Sequence, residues 1–187
     1  GIVLYCLARV WHMHWIIETG VSGGYYSSFL IEALHKNLNY AVLHSLELSD
    51  DMTKVGKLIP QSTKEKTFRN DDINTNVDWY LITGKSSLDF FKDRPERNHA
   101  ADMYCHDSLH TMSHMMKELK EFKETISDDF FIFIDDEKSD GFWDKCLQMG
   151  AFKKPGFEVS AISGKESRLR GHLGGFVKYR KFKEKVL

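Results

Sequence analysis

The stretch Ile16-Ile17-Glu18-Thr19-Gly20-Val21-Ser22-Gly23-Gly24-Tyr25-Tyr26-Ser27-Ser28 decides how this chain is read. A short apolar run ends in an acid, passes three glycines, and enters the helical pattern Phe29, Leu30, Ala33, Leu34. That order is strand, tight turn, helix. Glycines suit such a turn because the backbone must reverse sharply and let a ligand come closer than a Cβ permits. Free amides at the start of the helix favour electron-rich groups. The spacing Gly-x-x-Gly-Gly differs from the dinucleotide fingerprint Gly-x-Gly-x-x-Gly and from the phosphate loop, and no Lys follows to grip a phosphate. On these residues alone, a ligand cradle and a plain connecting turn are equally good accounts.

Outward from this stretch, the pattern repeats. Before it, Leu4, Leu7, Ala8 and Trp11 fall at helical spacing with no cap ahead of them, as in a domain lacking an N-terminal extension. After it, the periodicity predicts a first strand over Trp15 to Thr19 and a helix from Gly24 to Lys36, stopped by Asn37 and Asn39. A second strand, Ala41 to Leu48, carries Glu47 near its end, and a long polar loop from Ser49 to Asn76 reads as a lid or flank. Trp79 to Thr83 makes a third strand, followed by Gly84-Lys85-Ser86-Ser87 opening a short helix. Ala101 to Cys105 makes a fourth, running into His106-Asp107-Ser108-Leu109-His110. Asp107 or Ser108 can cap the next helix, which carries Met112, Met116, Leu119 and Phe122 on one face. Phe130 to Ile134, nearly all apolar as a strand buried on both faces should be, makes a fifth and ends in Asp135-Asp136. A helix over Phe142 to Met149 and two strands, Phe157 to Ile162 and Gly174 to Tyr179, complete the series. Five strand and helix alternations followed by two strands predict an α/β fold with a doubly wound, mostly parallel sheet and a terminal antiparallel strand.

Composition sets the bounds. The 187 residues, 42% hydrophobic and 28% charged, suffice for one domain with a substantial core. No apolar run is long enough to span a bilayer and the first residues lack a signal-peptide layout, so a cytoplasmic protein is expected. Cys6, Cys105 and Cys146 are odd in number and widely spaced, which argues for buried free thiols over a disulfide framework or a zinc knuckle. His12 and His14 are too isolated to make a metal site. The net charge of -1 conceals a local +6 over residues 165–185. That region can touch nucleic acid, but a solvated face is the better account.

In an open parallel sheet, ligands bind beyond the carboxyl ends of the strands. Glu18 and the glycines, Glu47, Gly84 to Ser86, Asp107, and Asp135 with Asp136 all fall at such ends. Taken in order, Glu18-Thr19-Gly20-Val21 with Gly24 and Ser27-Ser28, Ser45-Leu46-Glu47, Gly84-Lys85-Ser86, His106-Asp107-Ser108-Leu109-His110-Thr111 and Asp135-Asp136 resemble the motifs of class I S-adenosylmethionine-dependent methyltransferases. The likeness is to the small bacterial O-methyltransferase-like and cephalosporin-hydroxylase-like group, and it covers Leu4 to Tyr179.

The resemblance implies a Rossmann-like methyltransferase fold with seven strands in the order 3-2-1-4-5-7-6, the last antiparallel, in a single domain over residues 1–187. It places Glu18, Gly20, Gly23 and Gly24 beside the methionine portion of S-adenosylmethionine, Glu47 at the ribose and Ser86 near the adenine. Thr19, Ser27, Leu48, Gly84 and Asp107 complete the implied cofactor contacts. It implies magnesium on Asp107, Asp135 and Asp136, with Asp136 standing where the metal-dependent branch has Asn. The alternative for that acidic pair is to cap the following helix. His110 stands where the same branch has a catalytic Lys, and an imidazole can take a proton from a hydroxyl near neutral pH; the alternative is that His106, His110 and His114 lie on one helical stripe, with His110 capping or packing. The expected reaction is methyl transfer to a hydroxyl of a small-molecule acceptor, with His110 and Asp107 catalytic, no membrane partner, and homo-oligomerisation open. Met112, Leu48-Ser49 and Ser127-Asp128-Asp129 depart from the family pattern, which leaves the acceptor undefined. Two alternatives are a same-fold protein with another reaction, and a nucleic-acid-binding module built on the basic C-terminal region.

Overall fold

The computed structural model describes residues 1–65, 76–93, 101–122, 126–134, 157–163 and 175–181. They divide into two compact units, Gly1–Phe90 and Phe91–Leu187.

The first unit is built on α1 (Ile2–Val10), β1 (Trp15–Thr19), α2 (Tyr25–Lys36), β2 (Ala41–Glu47), α3 (Gln61–Lys64) and β3 (Val77–Thr83). β1 is buried along its whole length, as a central parallel strand covered on both faces must be. β2 pairs with β1 in parallel, with Glu18 opposite Ser45, and β3 pairs in parallel with the other edge of β2. The predicted boundaries of β1 and α2 hold to within a residue, whereas β3 begins at Val77, two residues before Trp79. In α2 the buried side chains Ser27, Leu30, Ile31, Ala33 and Leu34 follow one stripe, and His35 and Lys36 place basic groups in the last turn, where they oppose the helix dipole.

Two asparagines fix that helix end. The Asn37 side chain accepts from Arg9 at 2.8 Å and donates to the carbonyls of Ala8 and Met13, tying α2 to α1. The amide of Asn76 donates to the carbonyls of Leu34, His35 and Asn39, satisfying acceptors that a helix terminus leaves open. Leu4 and Ala8 of α1 are buried as expected, but Trp11 lies outside the helix and is 45% exposed. Cys6 is exposed, contrary to the expectation of buried thiols, because it falls on the outward side of α1; Cys105 is buried.

The second unit contains β4 (Ala101–His106), α5 (Met112–Phe122), β5 (Ile126–Ile134), β6 (Phe157–Ser163) and β7 (Gly175–Lys181). The short α4 (Ser87–Asp93) ends the first unit and opens the second. β4 pairs with β5 in parallel, with a register shift between Ala101 and Met103, while β7 pairs antiparallel with both β5 and β6. β5 begins at Ile126, earlier than Phe130. The parallel strands follow the order β3-β2-β1-β4-β5 of a Rossmann-like α/β methyltransferase fold. The helix expected over residues 142–149 and the basic loop around Arg168 and Arg170 lie outside the described residues. No helix among the described residues is long and apolar enough to cross a membrane.

Candidate cofactor and catalytic sites

The turn after β1 is held by backbone conformation. Gly20 and Gly24 have φ of 81° and 87°, and Ser22 between them has φ of 46°, a left-handed region that costs a side-chain-bearing residue strain. Gly24 N–H donates to the Val21 carbonyl at 2.7 Å, closing the turn into α2. The absence of side chains at Gly23 and Gly24 makes room within the chain itself. A Cβ at Gly23 would stand 2.7 Å from Leu58, and one at Gly24 would stand 2.4 Å from Ile59. The close approach at these two positions is therefore made by the chain's own segment 55–59. Gly56 N–H donates to Ser22 O and Leu58 N–H to Gly23 O, each at 2.8 Å. Val55, Ile59 and Thr63 are buried, and Thr63 donates to Glu32 of α2. The first part of the supposed lid is thus packed against the glycine turn.

Glu18, the penultimate residue of β1, is fully buried. Its Oε2 accepts from Ser27 Oγ at 2.7 Å and from Ser45 Oγ at 2.6 Å, while Oε1, equally buried, has no partner. Burial pushes the carboxyl up to about 7. The two serine donors pull the other way and the nearby Glu47 adds to the rise. Glu47, half-buried at the end of β2, accepts from Ser22 N–H at 2.8 Å on Oε2 and from Ser49 N–H at 3.1 Å on Oε1. It therefore links the turn after β1 to the turn after β2, and each oxygen keeps a lone pair for a further donor.

The other sites predicted in this unit lie at or just after the ends of β1, β2 and β3 and in the first turn of α2. Thr19 and Ser27 are buried, Ser27 donating to Glu18. Leu48 is 71% exposed after β2. Gly84 has φ of 69°, and Ser86 exchanges bonds with Asp89, accepting from its N–H at 3.1 Å and donating to its carboxylate at 2.6 Å. That is a reciprocal cap on α4.

In the second unit Asp107 and His110 come together, with His110 Nε2 at 3.5 Å from Asp107 Oδ1 and both side chains about a third exposed. The helix begins later than expected. Thr111, and neither Asp107 nor Ser108, caps α5, accepting from His114 N–H at 3.3 Å. The buried stripe is Met115, Glu118, Leu119 and Phe122, so Met115 takes the place expected for Met116.

A polar cluster at the end of β4 was missed by the sequence reading. Glu118 is fully buried and accepts from Tyr104 and from His106 Nδ1 (2.6 Å) on one oxygen, and from Ser108 (3.2 Å) and His114 Nε2 (2.9 Å) on the other. Four donors fill the four lone-pair sites of a carboxylate. His106, read as part of a helical histidine stripe, is instead the last residue of β4, buried with Nε2 unpartnered. A usable signal existed. Glu118 sits at i+3 from Met115 in a stripe that is otherwise apolar, and a buried acid demands donors.

Among the described residues no group of three or more His, Cys, Asp or Glu side chains can hold a metal ion. Asp135 and Asp136 lie outside them.

Residues 17–137 match the family model described as a methyltransferase domain. Solved structures similar to the chain include the O-methyltransferase TomG of Streptomyces achromogenes in complex with SAM, at 18% identity and a TM-score of 0.65, covering 96% of this chain and 78% of that one. They also include the O-methyltransferase of Bacillus cereus in complex with SAH, at 17% identity, a TM-score of 0.65 and coverages of 96% and 79%. MnmC2 of Aquifex aeolicus matches at 14% identity and a TM-score of 0.63, covering 92% of this chain and 55% of that one. At such identities the likeness is one of fold. A comparison with curated protein sequences gives no match.

Proposed function

The chain belongs to the methyltransferase-domain family, whose model spans residues 17–137, and from that premise we propose that it transfers the methyl group of S-adenosylmethionine to a hydroxyl of a small molecule. The observation that carries this reading is the Glu47 carboxylate, which spans the turns after β1 and β2 through Ser22 and Ser49 and keeps lone pairs for two ribose hydroxyls. The unpartnered Glu18 Oε1 fits the same cofactor, because a buried acceptor without a donor costs free energy until one arrives. Gly20, Gly23 and Gly24 shape the turn between these acids. Thr19, Ser27, Leu48, Gly84, Ser86 and Asp107 are the remaining cofactor contacts in this proposal.

When bound, the sulfonium donor supplies an already activated methyl group. What the protein adds is alignment of acceptor oxygen, methyl carbon and sulfur, and effective molarities from such alignment can reach ~10⁵ M. His110 takes the acceptor's proton, with Asp107 beside it to orient the imidazole and stabilise its charged form. If magnesium assists, Asp107, Asp135 and Asp136 would hold it and it would acidify the acceptor hydroxyl. The reading also takes residues 1–187 as one methyltransferase domain, since the family match crosses from the first unit into the second. The antiparallel pairings of β7 with β5 and β6 are then the far end of a seven-stranded sheet in the order 3-2-1-4-5-7-6. A cytoplasmic setting belongs to the same proposal.

The test is binding followed by turnover. S-adenosylmethionine should bind saturably, and Glu47→Ala should weaken binding at least tenfold, the loss of about one charged hydrogen-bonding group. Turnover of a hydroxyl-bearing library, read by transfer of labelled methyl, should fall in kcat for His110→Ala with cofactor affinity retained. Absence of cofactor binding by the unaltered protein would reject the proposal.

A further inference from the structure

The Glu18 carboxyl is held asymmetrically, and a residue from β3 controls the asymmetry. Trp79 Nε1 donates to Ser45 Oγ at 3.0 Å. An indole N–H can only donate, so Ser45 accepts there and its single proton is committed to Glu18 Oε2 at 2.6 Å. The register explains the reach. Glu18 lies opposite Ser45, and Ser45 opposite Leu81, so Trp79, two residues before Leu81, shares that face of the sheet and its indole extends diagonally along it. The far edge of the ring underlies the glycine-turn segment, 3.9 Å from where a Cβ would stand on Gly56.

We propose that Ser45 and Trp79 are positioning residues for cofactor binding, and that the donor chain Trp79, Ser45, Glu18 reserves Glu18 Oε1 for the cationic amino group of S-adenosylmethionine. This rests on the methyltransferase reading. The consequence is a proton linkage. Burial raises the Glu18 carboxyl to about 7, so near neutral pH a large fraction of the free protein carries a proton there. Oε2 already receives two hydroxyl protons, which puts the carboxyl proton on Oε1. An ammonium group brought to that atom displaces the proton to solvent. The groups facing Glu18 are the hydroxyl and backbone N–H of Ser27 from α2 and the hydroxyl of Ser45 from β2, with Glu47 as the charged neighbour that raises its pKa.

Calorimetric titration with S-adenosylhomocysteine, which has the same amino-acid end, tests this in buffers of differing ionisation enthalpy at pH 6 and pH 8. The unaltered protein should release close to one proton at the lower pH and almost none at the higher, with affinity falling toward about tenfold per pH unit below 7. Glu18→Gln should abolish both effects. Ser45→Ala should move the midpoint of the affinity profile to higher pH because the carboxylate loses a donor, and Trp79→Phe should move it the same way by less. A merely structural tryptophan would weaken binding equally at both pH values. Unmoved midpoints in both variants, or no proton release at pH 6, would overturn the inference. The proton count of the unaltered protein decides alone if the variants do not fold. Failure of S-adenosylhomocysteine to bind at any pH would reject the methyltransferase reading itself, and this inference with it.

Discussion

Glu18 combines full burial with an ionisable group, and the sign of its effect on stability follows. Its carboxyl titrates near 7 in the folded chain against 4.5 for an ordinary glutamate. Between those values the unfolded chain has lost a proton that the folded chain keeps. Stability therefore falls as pH rises from about 4.5 to about 7 and levels off above, and the ionised form costs about 3 kcal/mol. Glu18→Gln should remove that slope and stabilise the protein at pH 8 relative to the parent, by up to about 3 kcal/mol, with little change at pH 4.5; urea unfolding at the two pH values measures it. Gly24→Ala should do the opposite. It forces a side chain into φ of 87° and onto Ile59, which should cost upwards of about 1–2 kcal/mol in the same assay. Glu18, Glu47 and the glycines were legible in the sequence because each ends a strand or breaks a pattern. Ser45 and Trp79 were not, since a serine inside one strand and a tryptophan inside another look like ordinary sheet residues until the register sets them together.

Among elements, α5 was legible as a helix with Leu119 and Phe122 buried as expected, while Met115 takes the place of Met116 and the start differs. Its periodicity was plain, but the start was placed at Asp107 or Ser108 when Thr111 caps it. His106 belongs to β4 and meets α5 through Glu118. The buried stripe consequently includes Glu118, whose four donors come from β4, the following turn and α5 itself. Glu118→Ala should cost about 3–5 kcal/mol because it strands those buried donors, and Glu118→Gln should cost less; thermal or chemical unfolding separates the two. The segment 55–59 was read as polar loop, yet Ile59 is buried against Gly24. Ile59→Ala should cost about 2–4 kcal/mol and weaken cofactor binding through the glycine turn. Three apolar residues interspersed with turn residues carry no periodic signal, which is why this packing was invisible in the sequence.

At the scale of the whole chain, the alternation of strands and helices was legible, and the parallel order β3-β2-β1-β4-β5 agrees with it. Buried parallel strands advertise themselves through short apolar runs, as Trp15 to Ile17 of β1 and Phe131 to Ile134 of β5 do. The acceptor was not legible, because substrate-contacting residues are disproportionately carried on loops, and polar, aperiodic loop sequence offers no pattern to read. A protein-wide consequence of cofactor binding is stabilisation by mass action. S-adenosylhomocysteine at about 100 times its Kd should add about 2.7 kcal/mol and raise Tm by roughly 5–10 °C for a chain of this size, measured by a melting curve with and without ligand.

The bridge from Glu47 to Ser22 and Ser49 carries one more implication. Because Glu47 already tethers the segments after β1 and β2, the proposed ribose contact would form with little ordering entropy lost upon capture. Recognition at this edge should accordingly be fast, governed by collision and orientation, with no slow rearrangement preceding it.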